Sequence, residues 1–195
     1  MRKFKVLLDR AHGNNVAGKC SPDMSHIEWK WSNARCKNIF NKLSEAGFEV
    51  VNIVTEEFEP KDRLLRIDKN TGPLPTLLIS LHNNAAGMGI DWMNARGFSV
   101  FTSKGQTKSD CYASILFALL KKEFPEIQSR QDLSDGDADW EANFNVLVRK
   151  PIACLVEWLF QDNRDDVKLL QNDNLNTRFE NVVVAACLEF EQYFK

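Results

Sequence analysis

The stretch Thr76-Leu77-Leu78-Ile79-Ser80-Leu81-His82-Asn83-Asn84-Ala85-Ala86 constrains the fold more than any other. Its apolar and β-branched run reads as a buried strand that stops at a histidine and a set of small polar residues. In an open α/β sheet, ligands sit beyond the carboxyl ends of the strands, which is where His82 falls. Two further runs end in the same way. Lys5-Val6-Leu7-Leu8-Asp9 leads to His12-Gly13, and Ile152-Ala153-Cys154-Leu155-Val156 leads to Glu157. If the three strands are parallel neighbours, two imidazoles and a carboxylate meet on one edge of the sheet.

The remaining segments alternate between strand and helix patterns. Helices are expected over about 26–45, 61–69, 110–124, 163–170 and 175–194. Further strands are expected over about 48–54, 97–102 and 146–148. Ala46-Gly47 and Pro125 supply helix stops. The pattern predicts a single α/β domain spanning 1–195, with a mostly parallel twisted sheet of about six strands and helices on both faces. The 195 residues and an apolar fraction of 44% suffice for one full core.

Composition excludes more than it assigns. No apolar run approaches the roughly 20 residues that span a bilayer. A net charge of −2 without a basic, aromatic-rich stripe gives no footprint for nucleic acid. The five cysteines are scattered without a Cys-x-x-Cys pair, and four of them lie in apolar patterns. The basic start Met1-Arg2-Lys3 precedes an apolar run that ends at Asp9, too short for a signal peptide, so synthesis in the cytoplasm without a leader is expected.

Zinc sites that hydrolyse bonds take three ligands from His, Glu or Asp and leave a position for water. His12 and His82 are candidates for two of them, although either alone reads equally well as a turn histidine bonded to backbone. His26, the third histidine, reads as solvent-exposed. Glu28 has two readings: a third ligand from the first helical turn, or the closing carboxylate of a Ser25-His26-Ile27-Glu28 capping box. Glu157, at the end of an apolar strand, is costly to bury unpaired and is a candidate proton acceptor beside a metal.

In order and spacing, Leu8-Asp9-Arg10-Ala11-His12-Gly13, Glu28, Ser80-Leu81-His82-Asn83-Asn84-Ala85 and Leu155-Val156-Glu157-Trp158-Leu159-Phe160-Gln161-Asp162-Asn163 resemble the zinc-dependent N-acetylmuramoyl-L-alanine amidases of the amidase-3 type. The likeness covers essentially the whole chain. It implies His12, Glu28 and His82 as ligands of Zn2+, and Glu157 as the catalytic glutamate. The implied substrate is peptidoglycan or a muropeptide, cut at the amide between the lactyl group of N-acetylmuramic acid and L-alanine. A leaderless lysin acting on the cell wall is the expected biology, with no release route visible.

Three departures stand out. Arg10-Ala11 replaces the family's Pro-Gly before the histidine, and Leu159 replaces its usual glycine. Trp158 is also bulky, so the changes at 158–159 are expected to narrow the cleft or to alter which muropeptide fits, without removing a ligand or the base. These changes keep open a zinc hydrolase of another amide or peptide bond. A non-catalytic wall-binding module is the third reading. Asn83, Asn84 and Trp140, the last inside a polar loop over 126–143, are candidates for the walls of a substrate groove.

Overall fold

A computed structural model describes residues 2–194. Six strands form one sheet in the order β2-β1-β3-β6-β4-β5. They are β1 (Lys5–Arg10), β2 (Glu49–Asn52), β3 (Thr76–Asn84), β4 (Phe98–Thr102), β5 (Trp140–Glu141) and β6 (Ile152–Phe160). The first four in the spatial order run parallel, β4 runs antiparallel to β6, and β5 is parallel to β4. The helices are α1 (Glu28–Glu45), α2 (Arg63–Asn70), α3 (Lys108–Glu123), α4 (Arg164–Leu170) and α5 (Asp173–Phe190), with a 3-10 turn over Glu191–Phe194.

Strand periodicity sorts the side chains into two layers. Val6, Leu8, Leu77, Ile79, Leu81, Cys154, Val156 and Trp158 enter a large core with the apolar faces of α1, α3 and α5. Leu7, Leu78, Ala153 and Leu155 face a smaller cluster completed by Ile53, Val54, Ile67, Val146 and Leu147. Continuing that second alternation along each strand leads from Leu7 to Asp9, from Leu78 to Ser80 and His82, and from Leu155 to Glu157. The thinly covered face of the sheet therefore carries the polar groups, at its carboxyl edge.

The central expectation holds: β1, β3 and β6 are adjacent and parallel, with His82 paired in register with Glu157. The strand expected at 146–148 does not form. Phe144 O accepts the amides of Leu147 at 2.8 Å and Val148 at 3.3 Å, closing a turn that drives Val146 and Leu147 inward. A three-residue apolar run satisfies burial from a turn as well as from a strand. The sheet edge is taken instead by Trp140–Glu141, inside the segment expected to be loop.

Trp158 does not narrow the cleft. It points to the opposite face from Glu157, fully buried, with ring centroids 4.6 Å from Phe179 and 5.0 Å from Phe124. Leu159 is buried as well, at φ +63°, a left-handed backbone that costs a leucine about 1 kcal/mol relative to glycine. Its strain sits at a bulge. Between the pairs His82↔Glu157 and Asn84↔Phe160, β6 advances three residues while β3 advances two. The burial of the Leu159 side chain offsets that strain.

Candidate metal centre and active site

His12 follows β1 in a left-handed conformation, φ +46°. The turn contains no Pro-Gly pair and is held by Arg10. The Arg10 guanidinium is fully buried and donates to the carbonyls of Ala11, His12, Glu56 and Phe58, clamping the His12 loop to the segment before α2. Gly13 permits the approach: a Cβ there would sit 2.1 Å from the backbone nitrogen of Glu59.

Glu28 opens α1, and Ser32, one turn later, fixes the helix to the sheet. Ser32 Oγ donates to Leu81 O at 2.7 Å and accepts from Ala11 N at 2.9 Å. The capping-box reading of Glu28 is overturned. Ile27 is the N-cap and gives no side-chain cap, while the Ser25 amide donates to Asp23 Oδ1 at 3.0 Å. The Glu28 carboxylate turns inward and is 1% exposed. Its Oε1 lies 3.1 Å from His82 Nδ1 and accepts the Asn83 amide at 3.1 Å; its Oε2 accepts from Gln161 Nε2 at 3.2 Å and lies 3.7 Å from His12 Nε2.

One donor atom each from His12, Glu28 and His82 lie within 4.8 Å of one another. The two imidazole rings stand edge to face, 5.1 Å apart. His82 Nε2 is buried with no hydrogen-bond partner among the described residues. Two imidazoles, a carboxylate and an orphaned buried nitrogen form a donor set that fits a divalent metal ion. Burial depresses the His12 pKa to about 4 despite the nearby Glu28, so its lone pair is free at neutral pH. For Glu28, burial is outweighed by its bond to His82 and the charges of both histidines, and its pKa falls. His82 moves the other way: burial opposes its charge, but Glu28 raises its pKa. A proton shared by this pair has to leave when a cation enters.

Glu157 lies on the cavity side of β6. Burial raises its pKa to about 7, against a lowering by His82 and with a further rise from Glu28. Its Oε2 is buried without a hydrogen-bond partner among the described residues. A carboxyl group with a pKa near neutrality can both accept and return a proton. Behind the site, Asp9 accepts Arg63 Nε at 2.8 Å and Nη2 at 2.6 Å, and Ser80 Oγ at 2.7 Å. Arg63 Nη1 reaches Glu59 at 2.8 Å, and Glu59 lies 3.8 Å from His12 Nδ1.

A cavity of about 550 Å³ opens over His12, His82 and Glu157. Its far wall is made by Phe144 and Val146, and not by Trp140. Trp140 stacks near Phe101 at 6.4 Å and donates to Arg130 O, which takes it away from the cavity. Asn83 faces inward as well: its Oδ1 contacts His26 Nε2 at 2.8 Å and its amide donates to Trp158 O at 2.7 Å. Asn84 caps the Ala85 amide and does not line the cavity. His26, expected to be exposed, is buried through that contact with Asn83. The roles of Gln161 as a partner of Glu28 and of Arg10 as a clamp are not among the readings the sequence yields. The placement of Arg10 immediately before a histidine-bearing turn, rich in carbonyls needing donors, was the one available signal.

A mostly parallel sheet with a His–Glu–His donor set and, among the described residues, an unpartnered carboxylate oxygen at its carboxyl edge has the make-up of a metal-dependent hydrolase. The chain belongs to the amidase-3 family, described as N-acetylmuramoyl-L-alanine amidase, which matches residues 6–188. Its reaction is hydrolysis of an amide in peptidoglycan. Among solved structures, the N-acetylmuramoyl-L-alanine amidase of Clostridium difficile 630 superposes with a TM-score of 0.83 at 22% identity, over 97% of each chain. AmiC2 of Nostoc punctiforme gives 0.78 at 18% identity, over 97% of this chain and 98% of that one. The catalytic domain of the CD27L endolysin, described as targeting Clostridia difficile, gives 0.68 at 19% identity, over 95% and 97%. At these identities the superpositions establish the fold. No curated protein sequence matches the chain.

Proposed function

We propose that the chain is a zinc-dependent N-acetylmuramoyl-L-alanine amidase acting on the cell wall, with His12, Glu28 and His82 as the ligands and Glu157 as the proton carrier. The observation that supports this most is the orphaned pair of buried atoms, His82 Nε2 and Glu157 Oε2, in or beside one three-ligand group. When bound, zinc supplies a Lewis acid for the scissile carbonyl and lowers the pKa of water towards about 7. Glu157 takes the proton of the attacking water and delivers it to the departing alanine nitrogen. The Asp9–Arg63 pair, through Glu59, and the Arg10 clamp hold His12 in place. Gln161 and the Asn83 amide orient Glu28.

Digestion of purified peptidoglycan tests the reading. Free amino termini on L-alanine are expected to appear in step with solubilisation, while the glycan strands stay intact and no new reducing ends form. Release of any other amino terminus would assign the site to a different amide or peptide bond. A bound but uncut wall would make the chain a binding module.

A further inference from the structure

The cavity contains more positive charge than its own carboxylates neutralise. Of the cations lining it, Arg63 is committed to Asp9 and Glu59. Lys19 and Lys61 line the same space, and among the described residues neither has a carboxylate within 4.0 Å. Lys19 is half-buried, and its backbone is fixed to the start of α1, where Lys19 O accepts the Glu28 amide at 3.1 Å and Cys20 bridges to Ile27. The residue that presents this ammonium group is thus tied to the metal-ligand helix itself. The cavity that Lys19 lines is the one that also contains His12, His82 and Glu157. Lys61, exposed at the cavity mouth, stands beside Glu59 and Pro60 on the opposite lining segment.

A substrate entering this space is complementary if it brings an anion. On the proposed substrate, the glycan is neutral and the lactyl carboxyl is consumed in the scissile amide. The nearest anion is the α-carboxylate of the γ-linked D-glutamate that follows L-alanine, and in many walls that group is amidated. We propose that Lys19, assisted by Lys61, is a specificity determinant that holds this carboxylate, so that the enzyme selects stem peptides carrying a free acid at the second residue over their amidated forms. A half-buried ammonium–carboxylate pair is strong enough to sort the two, because a neutral amide cannot compensate the hydration that the Lys19 ammonium gives up when the substrate covers it.

The inference rests on the amidase reading, and one experiment separates their failures. Two muropeptides, N-acetylmuramoyl-L-alanyl-γ-D-glutamate and its α-amide, are compared on the zinc-loaded wild type and on Lys19→Met and Lys61→Met. The wild type is expected to favour the free acid by about 10-fold in kcat/KM, mainly through KM. Lys19→Met is expected to bring the two substrates within about 2-fold by raising KM for the acid alone, with kcat and zinc content unchanged. Lys61→Met is expected to remove a smaller part of the preference. Equal turnover of both substrates by the wild type overturns the inference. So does a Lys19→Met variant that slows both equally, which places Lys19 in the chemistry instead. Cleavage of neither substrate by protein containing zinc counts against the amidase reading itself.

Discussion

Glu157→Gln is expected to lower turnover of peptidoglycan by about 10²- to 10⁴-fold, the usual worth of a positioned acid–base group, while zinc content stays at the wild-type level and thermal stability does not fall. The amide matches the carboxyl in shape but cannot accept the water proton. Stability holds because, among the described residues, the Glu157 Oε2 has no hydrogen-bond partner to lose. Burial already penalises its charge, as its raised pKa of about 7 shows, so removing the charge relieves a cost. Loss of zinc together with activity would make Glu157 a ligand and reassign the roles around the site. Unchanged turnover would move the proton transfer to another group.

Arg63→Met is expected to destabilise the fold by about 3–5 kcal/mol at pH 7, because it strands the Asp9 carboxylate in a fully buried position. For a chain of this size that is a fall in Tm on the order of 10 °C. The effect has a definite pH dependence. Burial opposes the ionised form of Asp9, but Arg63 and Ser80 outweigh it, so the pKa of Asp9 lies below its usual 3.8. The pair's stabilisation is present above that value and is lost as pH falls through the lowered folded-state pKa. In the variant burial acts alone, Asp9 titrates upward, and the deficit relative to wild type grows as pH rises from 4 to 7. Thermal melts across that range measure it, and Asp9→Asn in the same chain is expected to restore much of the loss by removing the stranded charge. A deficit that is independent of pH, or under 1 kcal/mol, would mean that Asp9 finds another partner.

Much of this architecture was legible because strands declare their faces. The alternation that places Leu7 and Leu78 on one side continues to Asp9, Ser80 and His82, so three strand ends suffice to locate the edge where the chemistry gathers. Glu28 was ambiguous for a specific reason. Ser-x-x-Glu before an apolar run is the pattern of a capping box, and only the competing Asp23 carboxylate, which takes the Ser25 amide, frees Glu28 to turn inward. His26 gave no local sign of burial, since its partner Asn83 lies 57 residues away. The 146–148 segment misled because three apolar residues carry too little periodicity to separate a turn from a strand. Trp158 misled through proximity: adjacent strand residues face opposite sides, so the neighbour of Glu157 belongs to the core. Leu159 at the family's glycine position reads as a bulky neighbour of the cleft, whereas its backbone takes a left-handed geometry and its side chain fills the interior.

The most direct test of the central claim is zinc binding to chelator-stripped protein, followed by titration calorimetry or metal analysis after dialysis. One equivalent per chain is predicted for the wild type and for Glu157→Gln, with tight binding abolished in both Glu28→Ala and His82→Ala. A wild type that takes up no metal, or a Glu28→Ala variant that binds as tightly as the wild type, would contradict the assignment of His12, Glu28 and His82 as the ligand set.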